Sequence, residues 1–403
     1  MKVAFVHDYI KEYGGAERVL EALHEIWPDA PVYTSVYLPG YLGPHKERFK
    51  NWDIRTSWFQ YVPYKAKLIS PLRIIAPFVF RQFDFSAFDV VIVSATGAYF
   101  PNLLNKKSAL HICYCHTPPR YLYGYATARE WKKHLVFRIL GEIANHFLRI
   151  VDYKSSEHVD YFIANSQNIA ARIKKFYKRE ATVIYPPVDT ESSKRKAQSS
   201  KQQPKTQNYF LAGGRLARPK HIDLIVRACR ELNFPLKVFG KGFGGYENEI
   251  CHYSSSEGAK RPSREVESED SSRQALTIKN IEFLGEITDE EKYQLMAGAK
   301  AYIFAAEDED FGITPVEAMA AGTPVIAYRS GGVVESVLEG RTGIFFDELT
   351  VKSLITAIKQ CSNVAIRPQD CIAQAKKFSK ERFKKEIQAF VEKAVKSHRF
   401  LQH

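Results

Sequence analysis

The 403-residue chain contains no run of 18 uncharged apolar residues, so no membrane-spanning helix is expected. Cysteine is sparse: there are six, and only Cys113 and Cys115 lie close together. With no second pair at zinc-finger spacing, a disulfide scaffold and a zinc finger are both excluded, and the cysteines read as reduced thiols of a cytoplasmic protein. The opening Met1-Lys2-Val3-Ala4-Phe5-Val6 lacks the charged head and small-residue cleavage site of a signal peptide, and reads as a first strand. No Gly-x-Gly-x-x-Gly follows Val3–His7 or Tyr209–Ala212, which argues against a dinucleotide oxidoreductase. What is present is ordinary for a soluble globular chain: 45% hydrophobic and 26% charged residues. At this length two or three domains are expected.

The net charge is +13, and its location is informative. Residues 65–149 carry 12 basic and 4 acidic residues, as large an excess as in the whole of residues 1–190. Lys65, Lys67, Arg73 and Arg81 interrupt a run rich in Tyr61, Tyr64, Leu68, Ile69, Phe78, Phe80 and Phe83. Cations between bulky apolar groups suit an anionic membrane surface. The alternative is a solvated helix face covering its own core. Nucleic acid is not expected as a partner, because no zinc-finger spacing and no RNA-binding sheet motif is present.

The chain falls into two halves of similar plan. In the first, apolar strands at Val3–His7, Asp89–Ser94, Leu110–Tyr114 and Tyr161–Asn165 alternate with segments of helical spacing such as Glu17–Ile26. Residues 190–208 are then almost wholly polar, a linker or surface loop. The second half repeats the pattern with strands at Tyr209–Ala212, Leu236–Phe239, Ile281–Leu284, Ala301–Ala305 and Pro324–Tyr328. A second polar tract, about 254–273, interrupts it, and an amphipathic helix closes the chain. Continuous apolar strands between helices mean parallel sheets covered on both faces. The expected fold is α/β: two doubly wound, Rossmann-like parallel-sheet domains facing a cleft. Their boundaries are 1–189 and 209–380, with a C-terminal helix over 381–403. Ligands of such sheets sit beyond the carboxyl ends of the strands.

The segment Glu309-Asp310-Phe311-Gly312-Ile313-Thr314-Pro315-Val316-Glu317 carries the chemistry. It follows a strand and opens a helix for which Thr314 reads as the N-cap and Pro315 as the first residue, placing Glu317 on the first turn. Free amides at a helix start beside a flexible glycine suit a diphosphate. Two carboxylates separated by seven residues suit the hydroxyls of two sugars. The competing reading is a capping box, in which Glu317 only satisfies its own helix.

A second segment, Gly213-Gly214-Arg215-Leu216-Ala217-Arg218-Pro219-Lys220, follows the strand that opens the second half. Arg215 and Lys220 can neutralise a diphosphate, although basic loop residues are often simply solvated. The two segments in this order resemble the retaining glycosyltransferases of family 4, with their GT-B fold and Glu-x7-Glu signature. Gly14-Gly15, Cys115-His116-Thr117-Pro118-Pro119-Arg120, Phe239-Gly240-Lys241-Gly242, Phe283-Leu284-Gly285 and Gly331-Gly332 extend the resemblance over nearly the whole chain outside the polar tracts.

The resemblance implies that Arg215 and Lys220 bind the donor diphosphate, aided by backbone at Phe311, Gly312 and Ile313, with Thr314 in the same donor site. Glu309 would hold the donor sugar, Glu317 the ribose, and Leu284-Gly285 would flank the base. His116 would lie beside the transferred sugar, and Gly15 near the phosphates and acceptor. For His116 a packed structural role is the alternative, and His7 and Asp8 are weaker candidates for acceptor contact. The closing helix is expected to cross back to the first domain. His7-Asp8-Tyr9, Gly14–Val19 and the Cys-His-Thr-Pro-Pro-Arg segment resemble bacterial mannosyltransferases of O-antigen and exopolysaccharide assembly. That implies GDP-mannose as donor, UDP-sugars being the alternative, and a glycan or lipid-linked oligosaccharide acceptor at the cytoplasmic membrane face. Asp308-Glu309-Asp310 contains the Asp-x-Asp of metal-dependent glycosyltransferases, but with Arg215 and Lys220 supplying charge neither a metal nor another cofactor is expected. A sugar-nucleotide epimerase and a non-catalytic sugar-nucleotide-binding subunit remain as rivals.

Overall fold

The computed structural model describes residues 1–69, 73, 75–127, 135–190, 208–242, 246, 276–278 and 280–402. The tract at 254–273 and nearly all of 190–208 lie outside them. The chain divides into two compact units: Met1–Tyr125, Glu130–Pro187 and Lys380–His403 form one, Ala126–Arg129 and Val188–Ser379 the other.

The first unit is built on a seven-stranded, wholly parallel sheet of order β3-β2-β1-β4-β5-β6-β7. The strands are β1 (Val3–His7), β2 (Val32–Thr34), β3 (Ile54–Thr56), β4 (Val90–Ala95), β5 (Leu110–Cys115), β6 (Tyr161–Ala164) and β7 (Ala181–Val183). Every residue of β1, β4 and β5 is buried, because both faces of the sheet are covered. Alternate residues feed two cores. Val91, Val93, Cys113 and Cys115 pack with Phe59, Ile69, Phe80 and Leu148 on one face. On the other, Val90, Ile92, Ile112 and Tyr114 meet Val19, Leu20 and Leu23 of helix α1 (Gly15–His24) and Phe383, Ile387 and Val391 from the chain's last helix. The first face carries helices α2 (Leu135–Glu157) and α3 (Gln167–Tyr177), α3 being capped by Ser166 Oγ accepting from Ile169 N at 3.1 Å.

The second unit has a seven-stranded sheet of order β10-β11-β9-β8-β12-β13-β14, in which β10 alone runs antiparallel. Its strands are β8 (Phe210–Gly213), β9 (Leu236–Phe239), β10 (Leu276–Ile278), β11 (Ile281–Gly285), β12 (Ala301–Phe304), β13 (Val325–Tyr328) and β14 (Gly343–Phe346). Helices α4 (Ile222–Glu231), α5 (Asp289–Gly298), α6 (Ile313–Ala320), α7 (Val351–Asn363) and α8 (Pro368–Lys376) accompany it. Then α9 (Lys380–Gln402) returns to the first unit, where Lys380 and Lys384 pair with Glu25. In both sheets the chain steps outward from the opening strand first to one side and then to the other, with β2 and β4 around β1, β9 and β12 around β8. Such switch points leave crevices at the carboxyl ends of the strands. There the chain places His7, Asp8 and Thr96 in one unit and Gly213, Gly214 and Ala305 in the other.

Candidate active site

In the second unit, β8 and β12 lie side by side, so the loops that leave them are stitched together. Tyr302 OH donates to Gly213 O at 2.7 Å, and Glu307 N donates to Pro219 O at 2.8 Å. This brings Lys220 Nζ to 2.5 Å from Glu309 Oε2, with both side chains about one-quarter exposed. The same ammonium lies 4.9 Å from the centre of the Phe304 ring. Arg215 is exposed on the same loop. A charge-assisted pair of this kind holds its cation in place.

The acidic loop is fixed from behind. Gly332 N donates to Glu309 O at 2.8 Å, and a side chain on Gly331 would strike that same carbonyl, its Cβ falling 2.2 Å away. At Gly331 and Gly332 backbone therefore approaches the backbone of the acidic loop too closely for a side chain. Ahead of α6, Gly312 takes φ +90°, a conformation that favours glycine, and serves as N-cap. The structure corrects the expected register. Ile313 is the first helical residue, Thr314 the second and Pro315 the third, so Thr314 is no N-cap and Glu317 lies on the second turn. The free amides at the head of α6 are those of Ile313 and Thr314, next to buried Phe311.

Glu317 departs furthest from expectation. It is wholly buried, and its Oε1 accepts from Lys292 Nζ at 2.9 Å, with Tyr293 OH at 3.4 Å. It is neither a solvent-facing carboxylate nor part of a capping box, since no side chain caps α6. Sequence reading missed Lys292. Its signal was present: Thr288-x-x-Glu291 caps α5, and Lys292 then falls on the face of buried Tyr293 and Met296. Leu284 and Gly285, half-buried, end β11 two strands from β8, where Gly285 O accepts from Gly240 N at 2.7 Å.

In the first unit His116 follows β5 and is buried, as the packed alternative required. It belongs to a polar chain that sequence reading did not find. Glu17 Oε1 stands 3.5 Å from His7 Nε2, His7 Nδ1 lies 3.1 Å from Ser94 Oγ, and Ser94 Oγ lies 2.8 Å from His116 Nε2. Burial, with a smaller contribution from His7, pushes the His116 imidazole down to about 3, so it is neutral at physiological pH. Glu17 also accepts from Gly14 N at 2.8 Å, which anchors the turn that presents exposed Gly15 at the head of α1. Burial opposes its charge, but the His7 and Gly14 bonds prevail and hold the carboxyl below its usual range. His7 and Asp8 are fully buried, and Asp8 accepts from the Thr96 amide and hydroxyl and from Tyr99 N. They support the loops at the end of β1 and offer no surface for an acceptor.

The sequence matches two adjoining families: residues 13–192 match Glycosyltransferase Family 4, and residues 193–378 match Glycosyl transferases group 1. The chain is a family 4 glycosyltransferase. Alpha-1,3/1,6-mannosyltransferase ALG2 of Mus musculus is 26% identical, over 95% of this chain and 94% of its own length. The Dictyostelium discoideum protein of the same name is 25% identical over 77% of each chain. The fold of this glycosyltransferase is shared with sucrose-phosphate synthase of Thermosynechococcus elongatus (TM-score 0.70, 16% identity, 98% and 100% of the two chains). It is shared too with Anabaena Alr3699/HepE, solved with UDP-glucose (TM-score 0.65, 17% identity, 98% and 100%). Two Rossmann-like domains of the GT-B type are thus established for this enzyme.

Proposed function

We propose that this glycosyltransferase moves mannose from GDP-mannose, with retention, onto a glycan or lipid-linked oligosaccharide in cell-surface glycan assembly. The observation that carries the reading is the Lys220–Glu309 pair at the switch point of β8 and β12, beside the free amides of α6. Cleavage of the anomeric bond develops negative charge on the leaving phosphate. Lys220, Arg215 and the amides of Ile313 and Thr314 stabilise that charge where it forms. Glu309, oriented by Lys220, accepts from hydroxyls of the donor sugar. Leu284 and Gly285 flank the base. Glu317, paired with Lys292 beneath the surface, is assigned to the ribose side of the donor. The family resemblance assigns Gly15 of the first unit to phosphate and acceptor, and neutral His116 to the transferred sugar. Attack comes from the face the nucleotide leaves, the departing phosphate taking the acceptor's proton, so no protein nucleophile is required.

Mannose is supported by relatives named as mannosyltransferases. Metal independence is supported by Lys220 and Arg215, cations of one loop that can meet the charge of the departing phosphate themselves. The enzyme works at the inner face of the cytoplasmic membrane as a peripheral protein. Among the described residues no helix is long and apolar enough to cross a membrane. A thermal-shift panel of GDP-, UDP- and ADP-sugars tests the donor, because only a ligand of the folded form raises the melting temperature. A rise with GDP-mannose alone, followed by mannose transfer with the configuration kept, is the expected result. A rise confined to UDP-sugars overturns the choice of donor.

A further inference from the structure

Helix α2 is inside-out. Among the described residues, the side it turns to the protein carries buried Asn145, Leu148, Asp152, Ser155 and Ser156, with Val151 partly buried against the same core. The side it turns outward carries Ile139, Leu140, Ile143, Phe147, Ile150 and Tyr153, each 40–62% exposed. Positions 139, 143, 147, 150 and 153 recur every three or four residues and form one stripe. A helix on a water-facing surface shows the reverse arrangement.

Three of the four inner polar side chains, Asp152, Ser155 and Ser156, are hydrogen-bonded within the protein, Asn145 Nδ2 being the exception, so the orientation is built in. Asp152 accepts from Tyr123 OH at 2.7 Å and Tyr177 OH at 3.2 Å, Ser155 Oγ donates to Asp152 O at 2.7 Å, and Ser156 Oγ to Tyr153 O at 2.6 Å. Six adjoining large apolar side chains exceed the scattered exposure normal on a soluble surface.

The stripe does not stand alone. Leu148 of α2 joins the same core as Phe59, Ile69, Val79 and Phe80, so the segment 58–83 lies in the same layer over the sheet. That segment exposes Tyr61 (84%), Tyr64 (81%) and Phe78 (62%). Across 58–83 and 135–157 the exposed charged side chains, among the described residues, are Lys67, Arg81, Arg138 and Lys154 against Glu157. The opposite face of the sheet is closed by α1 and α9. One layer of the first unit is therefore broad, apolar and rimmed by cations.

We propose that this layer is the membrane-docking face. On this assignment α2 lies flat in the headgroup boundary of an anionic bilayer, its Ile139–Tyr153 stripe among the acyl chains and the flanking cations on lipid phosphates. Fifteen helical residues span about 22 Å, enough for a helix lying in the interface plane. A second copy of the chain is the poorer occupant, because like pairing would set a net positive face against itself. The assignment rests on the membrane-acceptor reading above and adds the surface by which the enzyme reaches that acceptor.

The test uses the full chain with vesicles of phosphatidylcholine, alone or mixed with phosphatidylglycerol, read by co-sedimentation. Wild type is expected to bind the anionic vesicles. Ile143→Glu/Phe147→Glu, which alters exposed positions, is expected to lose roughly tenfold or more in vesicle affinity. Phe400→Glu, an equally apolar exposed site on α9, keeps it. Wild type that ignores both vesicles, or a double variant that binds like wild type, overturns the proposal. So does light scattering that shows a dimer dissociated by the double variant in place of lost vesicle binding. The rise in melting temperature with GDP, UDP or ADP, measured on the same samples, separates the two readings. Retained nucleotide binding without vesicle binding removes the docking face alone, whereas wild type that binds vesicles but none of GDP, UDP and ADP removes the transferase site.

Discussion

Lys292 Nζ stands 2.9 Å from the Glu317 carboxylate, and neither side chain is more than 8% exposed. Removing one partner of a buried pair costs about 3–5 kcal/mol, because the other charge is left uncompensated. Lys292→Met should therefore lower the melting temperature of the second unit by roughly 6–20 °C. Lys292→Met/Glu317→Leu should recover most of the loss. A single variant that melts with the wild type removes the structural claim.

Arg215 and Lys220 are assigned to the departing phosphate, Arg218 of the same loop is not. Alanine at either of the first two should reduce turnover of GDP-mannose about 10²–10³-fold, the usual loss when one charge-directed donor is deleted. Arg218→Ala should stay within a few-fold of wild type. Steady-state rates equal in all three variants remove the phosphate clamp.

Ser94 links His7 to His116 and contacts no substrate in this scheme, so it positions the ring. Ser94→Ala should lower kcat about tenfold, near the net value of one hydrogen bond, while KM for the donor is unchanged. Ser94→Thr keeps the hydroxyl and should restore the rate. A fall in melting temperature without any change in kcat would show that the chain serves only packing.

Burial raises the Asp152 carboxyl to about 7, against the bonds from Tyr123 and Tyr177 that lower it. Between its unfolded value and 7 the folded protein holds a proton that the unfolded chain releases, so this group costs stability as pH rises through that window. His111 and His116, both pushed down to about 3 mainly by burial, act in the opposite sense and cost stability as pH falls below the ordinary histidine range. Asp152→Asn should therefore gain stability relative to wild type as pH rises from 5 to 8 in urea denaturation. Equal differences at the two pH values count against a buried, titrating Asp152.

Metal independence predicts that mannose transfer persists in excess chelator. Complete loss that is restored by Mg²⁺ or Mn²⁺ would transfer the role of Lys220 to a cation.

The strands were legible because continuous apolar runs such as Val90–Ala95 and Leu110–Cys115 have no alternative to burial on both faces of a sheet. Short strands were not: Val32–Thr34 and Ile54–Thr56 hold three residues each, too few to show a period. The Glu309–Glu317 segment announced an anion site by composition, yet the helix start was misplaced by two residues. Threonine before proline is a good cap signal, and here Gly312 took the cap through its left-handed backbone.

By itself the sequence determined two parallel-sheet halves, their glycine-bearing loops, and the order of basic and acidic segments that marks a glycosyltransferase. Periodicity and loop chemistry are local, and a strand or a helix start answers to its own neighbours. Tertiary structure alone decided that Glu317 is buried against Lys292, that His7 reaches His116 through Ser94, and that α2 turns its apolar side outward. The physical reason is distance along the chain: those partners lie 25, 87 and 22 residues apart. Which side of a helix is inside depends on what the sheet brings beneath it.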